Sequence, residues 1–123
     1  MSKPEFEFFP ASNIEWTPVP GGVPGLTERI LAYDPLRRVA TRMLHMDPGT
    51  DTSVNGTLTH EFWEEVYIIE GSMFDIVLGQ NFTAGMYACR PPGMKHGPWK
   101  SSDGCTTFEV RYFVSRDESQ EGS

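Results

Sequence analysis

Along the chain, apolar residues never hold the three-and-four spacing that an amphipathic helix of about twelve residues needs. They come instead in short runs rich in β-branched and aromatic side chains, each closed by residues that favour turns or positive φ. Seven runs predict strands: Ile14 to Pro18, Leu26 to Tyr33, Arg38 to Met46, Glu65 to Glu70, Met73 to Leu78, Met86 to Arg90 and Thr106 to Ser115. The predicted breaks are Asp34-Pro35, Asp47-Pro48-Gly49, Glu70-Gly71-Ser72, Leu78-Gly79-Gln80-Asn81, Thr83-Ala84-Gly85 and Pro91-Pro92-Gly93. Many short strands, with no helices to carry parallel crossovers, predict an all-β antiparallel sandwich or barrel. No internal repeat interrupts this pattern.

A length of 123 residues suits one domain, here spanning 1–115, and the polar stretch 116–123 reads as a flexible tail. Phe6, Phe8 and Phe9 predict a further strand added to a sheet edge, a partner subunit's edge being one place for it. With 17 acidic against 10 basic residues the net charge is −7, which repels phosphate backbones and anionic lipids, so neither nucleic acid nor a membrane is an expected partner. The chain has no apolar run of membrane-spanning length, and its first ten residues lack the basic-then-apolar order of a signal peptide. A soluble, cytoplasmic protein is the resulting expectation. Two cysteines, Cys89 and Cys105, are too few for a disulfide scaffold or a thiolate zinc site, and both are expected to be buried apolar thiols.

Candidate chemistry lies in two stretches. His60 and Glu64 are four residues apart, an even spacing that puts both side chains on one face of extended chain. In the second stretch, Gly85 to His96, a strand ends in the rigid Pro91-Pro92-Gly93 turn, which delivers His96. Two imidazoles and a carboxylate form the facial set that suits non-haem Fe2+, the favoured divalent ion here, and that also accepts Mn2+, Ni2+, Co2+ or Zn2+. Three protein ligands leave positions open, whereas a closed structural site takes four.

These stretches resemble the paired motifs of the cupin superfamily. The first motif runs His-x-His, three or four residues, Glu, six residues, Gly, and here Glu64 is followed by six residues and Gly71. The second is matched position by position by Gly85, Pro91, Gly93 and His96. Glu64-Glu65-Val66-Tyr67, Glu70-Gly71, Asp75, Pro91-Pro92-Gly93, His96 and Gly104-Cys105 look most like the ChrR-like cupins, a group of anti-sigma-factor cupin domains and small dioxygenases that cleave β-diketones. Two positions depart from the pattern: Leu58 stands where the first histidine of the pair would fall, and Lys100 where an Asn often closes the second motif. The resemblance covers residues 38 to 113 and implies a jelly-roll barrel of six to eight strands, usually a homodimer. It also implies a metal on His60, Glu64 and His96.

Other residues extend this picture. His45 replaces the lost ligand or acts as a base only if it faces inward, which depends on register. Glu61 and Glu65 alternate in parity with Glu64 and are expected to face solvent, with Glu65 the one rival to Glu64 as ligand. Arg42 and Arg111 are the candidates to hold a substrate carboxylate or enolate at the cavity mouth. Arg90 and Glu109 read as surface or rim charge. Phe62, Trp63, Tyr67, Trp99, Phe108 and Tyr112 read as core or dimer packing, with Trp99 also a candidate pocket wall. The leading functional expectation is a metal-dependent dioxygenase for a small carbonyl or enolisable compound. A redox-neutral lyase, isomerase, cyclase or hydrolase fits the same residues, and a non-catalytic sensing module is the third reading.

Overall fold

Period-two alternation organises the chain into antiparallel strands. The computed structural model describes residues 3–114, and the predicted tail, 116–123, lies outside the described residues. The strands are β1 (Thr17–Pro18), β2 (Leu26–Asp34), β3 (Val39–Met46), β4 (Thr50–Asp51), β5 (Trp63–Asp75), β6 (Gln80–Thr83), β7 (Tyr87–Arg90), β8 (Trp99–Ser101) and β9 (Cys105–Tyr112). They follow the order β1-β2-β3-β9-β5-β8-β4, with β6 and β7 also paired to β5, as one curled sheet that makes a half-barrel. Helical structure among the described residues is confined to two 3-10 turns, Ala11–Asn13 and Ser53–Asn55. No helix there is long and apolar enough to cross a membrane. The fold is the all-β antiparallel architecture that the strand pattern predicts, with nine strands among the described residues where six to eight were expected.

The largest departure from the sequence pattern is at Glu70-Gly71-Ser72, where no turn forms. The two expected strands around it are one strand, β5, which pairs with β7 and β9 along its first half and with β6 and β8 along its second. A register shift between Ile68 and Glu70 and the positive φ of Gly71, +79°, bend the strand around the barrel without reversing it. Gly71 is required there because a Cβ would collide with the carbonyl oxygen of Gly104. The chain reverses later, where Asp75 Oδ1 accepts the backbone N–H groups of Val77 at 3.0 Å and Leu78 at 2.9 Å. Gln80, Asn81 and Thr83, expected within breaks, therefore join Phe82 in β6. The expected turn after Asp34 has the same chemistry, with Oδ1 accepting from Leu36 and Arg37.

Two other expectations are corrected. Phe6, Phe8 and Phe9 form no strand. The segment before β1 is irregular and is tied down instead by Lys3 Nζ donating to Thr41 Oγ1 at 2.9 Å and Arg29 Nε donating to the Ile14 carbonyl at 2.6 Å. Cys89 is exposed, because its place on β7 faces outward, while Cys105 is buried as expected.

The apolar core gathers Leu26, Met46, Ile68, Met73, Trp99 and Cys105. Leu26 pairs with Met46, Met46 with Cys105 and Cys105 with Gly71, so this core fills one end of the barrel. The other end is left for polar residues. Replacing Gly71 by Ala is expected to cost about 3 kcal/mol or more, since steric collision adds to backbone strain. The same change at Gly79, also at positive φ but with open space around it, should cost about 1–2 kcal/mol. Urea unfolding of the two variants beside wild type checks the difference.

Candidate metal centre

β5 carries Glu64 on its concave side, with Arg111 of β9 directly opposite on one flank and Arg90 of β7 on the other. One further pair along the sheet, Arg42 of β3 faces Glu109 of β9. Register alone thus sets opposite charges side by side, the arrangement that stabilises cross-strand neighbours. Glu64 Oε2 accepts from Arg111 Nε at 2.7 Å and Oε1 from Arg90 Nη1 at 3.1 Å. Arg42 donates through Nε to Glu109 at 2.8 Å and through Nη1 to Glu28 of β2 at 2.7 Å. Arg111 Nη2 lies 3.8 Å from Glu109 and links the two groups. Arg90 and Glu109, expected at the surface or rim, are buried members of this ladder, because the concave face is enclosed by the curl of the sheet.

The ladder lines a cavity of about 650 Å3 shared with His60, His96 and Leu58. His60, Glu64 and His96 each offer a ligand atom, and these atoms lie within 4.8 Å of one another. His96 is placed by the turn before it, and its backbone exchanges hydrogen bonds with Leu58, His96 N–H to the Leu58 carbonyl at 3.0 Å and the reverse at 2.8 Å. His60 is held by aromatic packing: Phe62 stacks on it with centroids 4.6 Å apart, and the Arg111 guanidinium sits 4.8 Å from the Phe62 ring centre. Phe62 was expected only to fill space, and its place two residues from His60, on the same side of the chain, is the signal that links them.

Electrostatics suit these residues to ligation. Burial lowers the pKa of His96 to about 4, with Arg90 adding to the effect, and burial also lowers that of His60. Both imidazoles are therefore neutral at pH 7, the form that binds metal. Burial pushes the Glu64 carboxyl up, but Arg111 and Arg90 outweigh it and hold the group below its usual range, as a carboxylate. His96 Nδ1 is buried without a hydrogen-bond partner among the described residues, which leaves a donor or ligand site unsatisfied inside the barrel. Two neutral imidazoles, a carboxylate and an orphaned buried nitrogen fit a divalent ion. An ion there would share Glu64 with two guanidiniums.

The remaining candidates are placed by register. His45 faces outward, with Nδ1 2.8 Å from Thr106 Oγ1 and Nε2 3.1 Å from Asp47 Oδ1, so it neither replaces a ligand nor reaches the cavity. Glu65 also points outward and accepts from the phenols of Tyr87 and Tyr112, which removes it as a rival to Glu64. Lys100 is exposed on β8, with Nζ 5.4 Å from the centre of the Phe74 ring, away from the cavity. Arg42 and Arg111 both line the cavity, as does Trp99.

The sequence of residues 6–114 matches the family model described as the ChrR cupin-like domain. Among solved structures, an RmlC-like cupin from Shewanella frigidimarina is similar at a TM-score of 0.69 and 22% identity, covering 96% of this chain and 99% of that one. An acetylacetone dioxygenase from Acinetobacter johnsonii gives a TM-score of 0.67 at 17% identity, with 93% and 80% covered. The polyketide cyclase RemF from Streptomyces resistomycificus gives 0.64 at 19%, with 92% and 89% covered. Comparison with curated proteins gives no match.

Two predictions follow from the geometry. In chelator, the unfolded chain takes up a proton on His96 near pH 6.5 while the native chain does so only near pH 4. Native stability is then full above about pH 6.5 and falls by up to about 3 kcal/mol as the pH drops to about 4, a loss that urea titrations should show and His96→Asn should remove. Leu58, paired with His96 and lining the cavity, is the place for a fourth ligand. Leu58→His should tighten Mn2+ or Zn2+ binding about tenfold or more in calorimetry.

Proposed function

The chain belongs to the ChrR cupin-like family, and from that premise we propose that it is a metal-dependent enzyme, a dioxygenase for a small enolisable carbonyl compound. The observation that carries this reading is the convergence of His60, Glu64 and His96 on a cavity that also presents the guanidiniums of Arg111 and Arg42. Two histidines and one carboxylate are the donor set of non-haem Fe2+ oxygenases, with positions left for organic substrate and dioxygen. The likeness to an acetylacetone dioxygenase supports the same chemistry.

A bound divalent ion supplies Lewis acidity, which favours ionisation of a carbonyl compound to its enolate. The protein's own residues do the rest. His60 and His96 stay neutral and lend their nitrogens. Arg111, half-buried at the edge of the ladder, offers hydrogen bonds to a negative oxygen of the substrate, with Arg42 behind it fixing Glu109. Trp99 and Val66 line the inner wall of the cavity, and Phe62 stacks on His60 and fixes its ring from the side.

A redox-neutral reading, a cyclase, lyase, isomerase or hydrolase, rests on the same residues and is supported by the likeness to RemF. Metal content and dioxygen uptake separate them. Freshly purified wild type should hold close to one equivalent of metal and His96→Ala less than a tenth of that. Wild type loaded with Fe2+ should consume dioxygen with a panel of β-diketones and hydroxy-ketones. Equal metal in both proteins refutes the site, and turnover undiminished under argon moves the assignment to the redox-neutral class.

A further inference from the structure

Glu64 has two carboxylate oxygens, and each is engaged by a different arginine. Each oxygen keeps a second lone pair for an ion, but an ion there would sit beside a guanidinium of like charge, and the two arginines are not equally easy to move away. Arg90 is the more deeply buried and lies over the Trp99 ring, 5.1 Å from its centre. Arg111 has twice the side-chain exposure, 19% against 10%, and packs on the rim aromatic Phe62. Its Nη2 already lies 3.8 Å from a second carboxylate, Glu109, toward which it can turn.

Charge counting says what a displaced Arg111 would bind. Glu28, Glu64 and Glu109 balance Arg42, Arg90 and the half-buried Arg111, so the six charges of the ladder sum to zero. A divalent ion raises that sum to +2 in a site where uncompensated charge is costly. Glu109 can take a hydrogen bond from a displaced Arg111 but does not offset the excess, because its charge is already counted in that sum. A neutral diketone, ionising to a single enolate charge, would leave the site cationic. An acid that also carries a carboxylate would bring one charge to the ion and one to the guanidinium fork, which matches a carboxylate in two parallel hydrogen bonds.

Resting on the metal-site reading above, we propose that Arg111 is a displaceable clamp: it competes with the divalent ion for Glu64 and, once displaced, binds the carboxylate of an acidic, enolisable substrate such as a 2-oxo acid. Ion and organic anion then bind cooperatively, each favouring the other by the same factor. Arg111 is also a selector of acids over neutral carbonyl compounds of the same skeleton.

The test is a calorimetric titration of Mn2+ into chelator-treated full-length wild type, Arg111→Gln and Arg111→Lys. Each is measured alone, in excess pyruvate and in excess methyl pyruvate, its uncharged ester. In wild type, pyruvate should tighten Mn2+ binding about fivefold or more, and methyl pyruvate should not. Arg111→Gln should bind Mn2+ alone about tenfold more tightly than wild type and lose the effect of pyruvate. Damage to the fold would weaken binding, so a gain excludes misfolding, and the lost response to pyruvate separates a clamp from simple relief of charge repulsion. Arg111→Lys, which keeps the charge without the fork, should fall between the two and carries the test if the glutamine variant does not fold. If wild type binds Mn2+ but Arg111→Gln binds it no more tightly, or responds equally to pyruvate, the clamp is overturned and the metal centre stands. If none of the three takes up Mn2+, the metal centre itself is overturned and the clamp with it.

Discussion

Arg42, Arg90 and Arg111 lie inside a small barrel with Glu28, Glu64 and Glu109, and none of these charges can stay there alone. Moving one ion from water to such a place costs several kcal/mol unless an opposite charge is within hydrogen-bond reach. The sheet meets that condition through register: Glu64 sits opposite both Arg90 and Arg111, and Arg42 opposite Glu109. Only Glu28 reaches its partner diagonally, two residues from the position paired with Arg42. A slip of one residue in β5 or β9 would leave paired charges facing apolar neighbours, so the ladder helps to fix the strand alignment that in turn shapes the cavity.

The two-part spacing around His60, Glu64 and His96 was legible because it is local: an even separation along the chain and a rigid turn before the last histidine, although His60 lies in the segment before β5 and not on the strand itself. Most of the strand content was legible for the same reason, whereas the short strands β4, β6 and β8 lay outside every predicted run. The ladder was not, because it inverts the usual rule for a half-buried strand. Along β9, Phe108, Val110 and Tyr112 face outward while Thr107, Glu109 and Arg111 face the cavity. A reader expecting apolar residues inside would turn the strand over. Gly71 misled in a different way, since a glycine at positive φ looks the same in sequence whether it reverses a strand or bends it.

The centre is sparse in protein ligands and rich in charge around them. Leu58 removes one potential nitrogen, His45 is turned away, and the carboxylate that remains is shared with two guanidiniums. Each of these would weaken the grip on an ion compared with a site of four committed ligands, while leaving more of its coordination sphere to what enters from solution. The arginines are therefore as much a part of the centre as the histidines.

The barrel is also divided along its length. Leu26, Met46, Ile68, Met73, Trp99 and Cys105 close one end by packing, whereas the other end is held by the ladder and stays open to the cavity. Packing tolerates few changes of volume, but a charged row tolerates exchange of partners provided the sum is kept. Change at the polar end is therefore confined to matched exchanges of arginine and glutamate, since an unmatched one leaves a buried charge alone, while the apolar end is held by volume and not by charge.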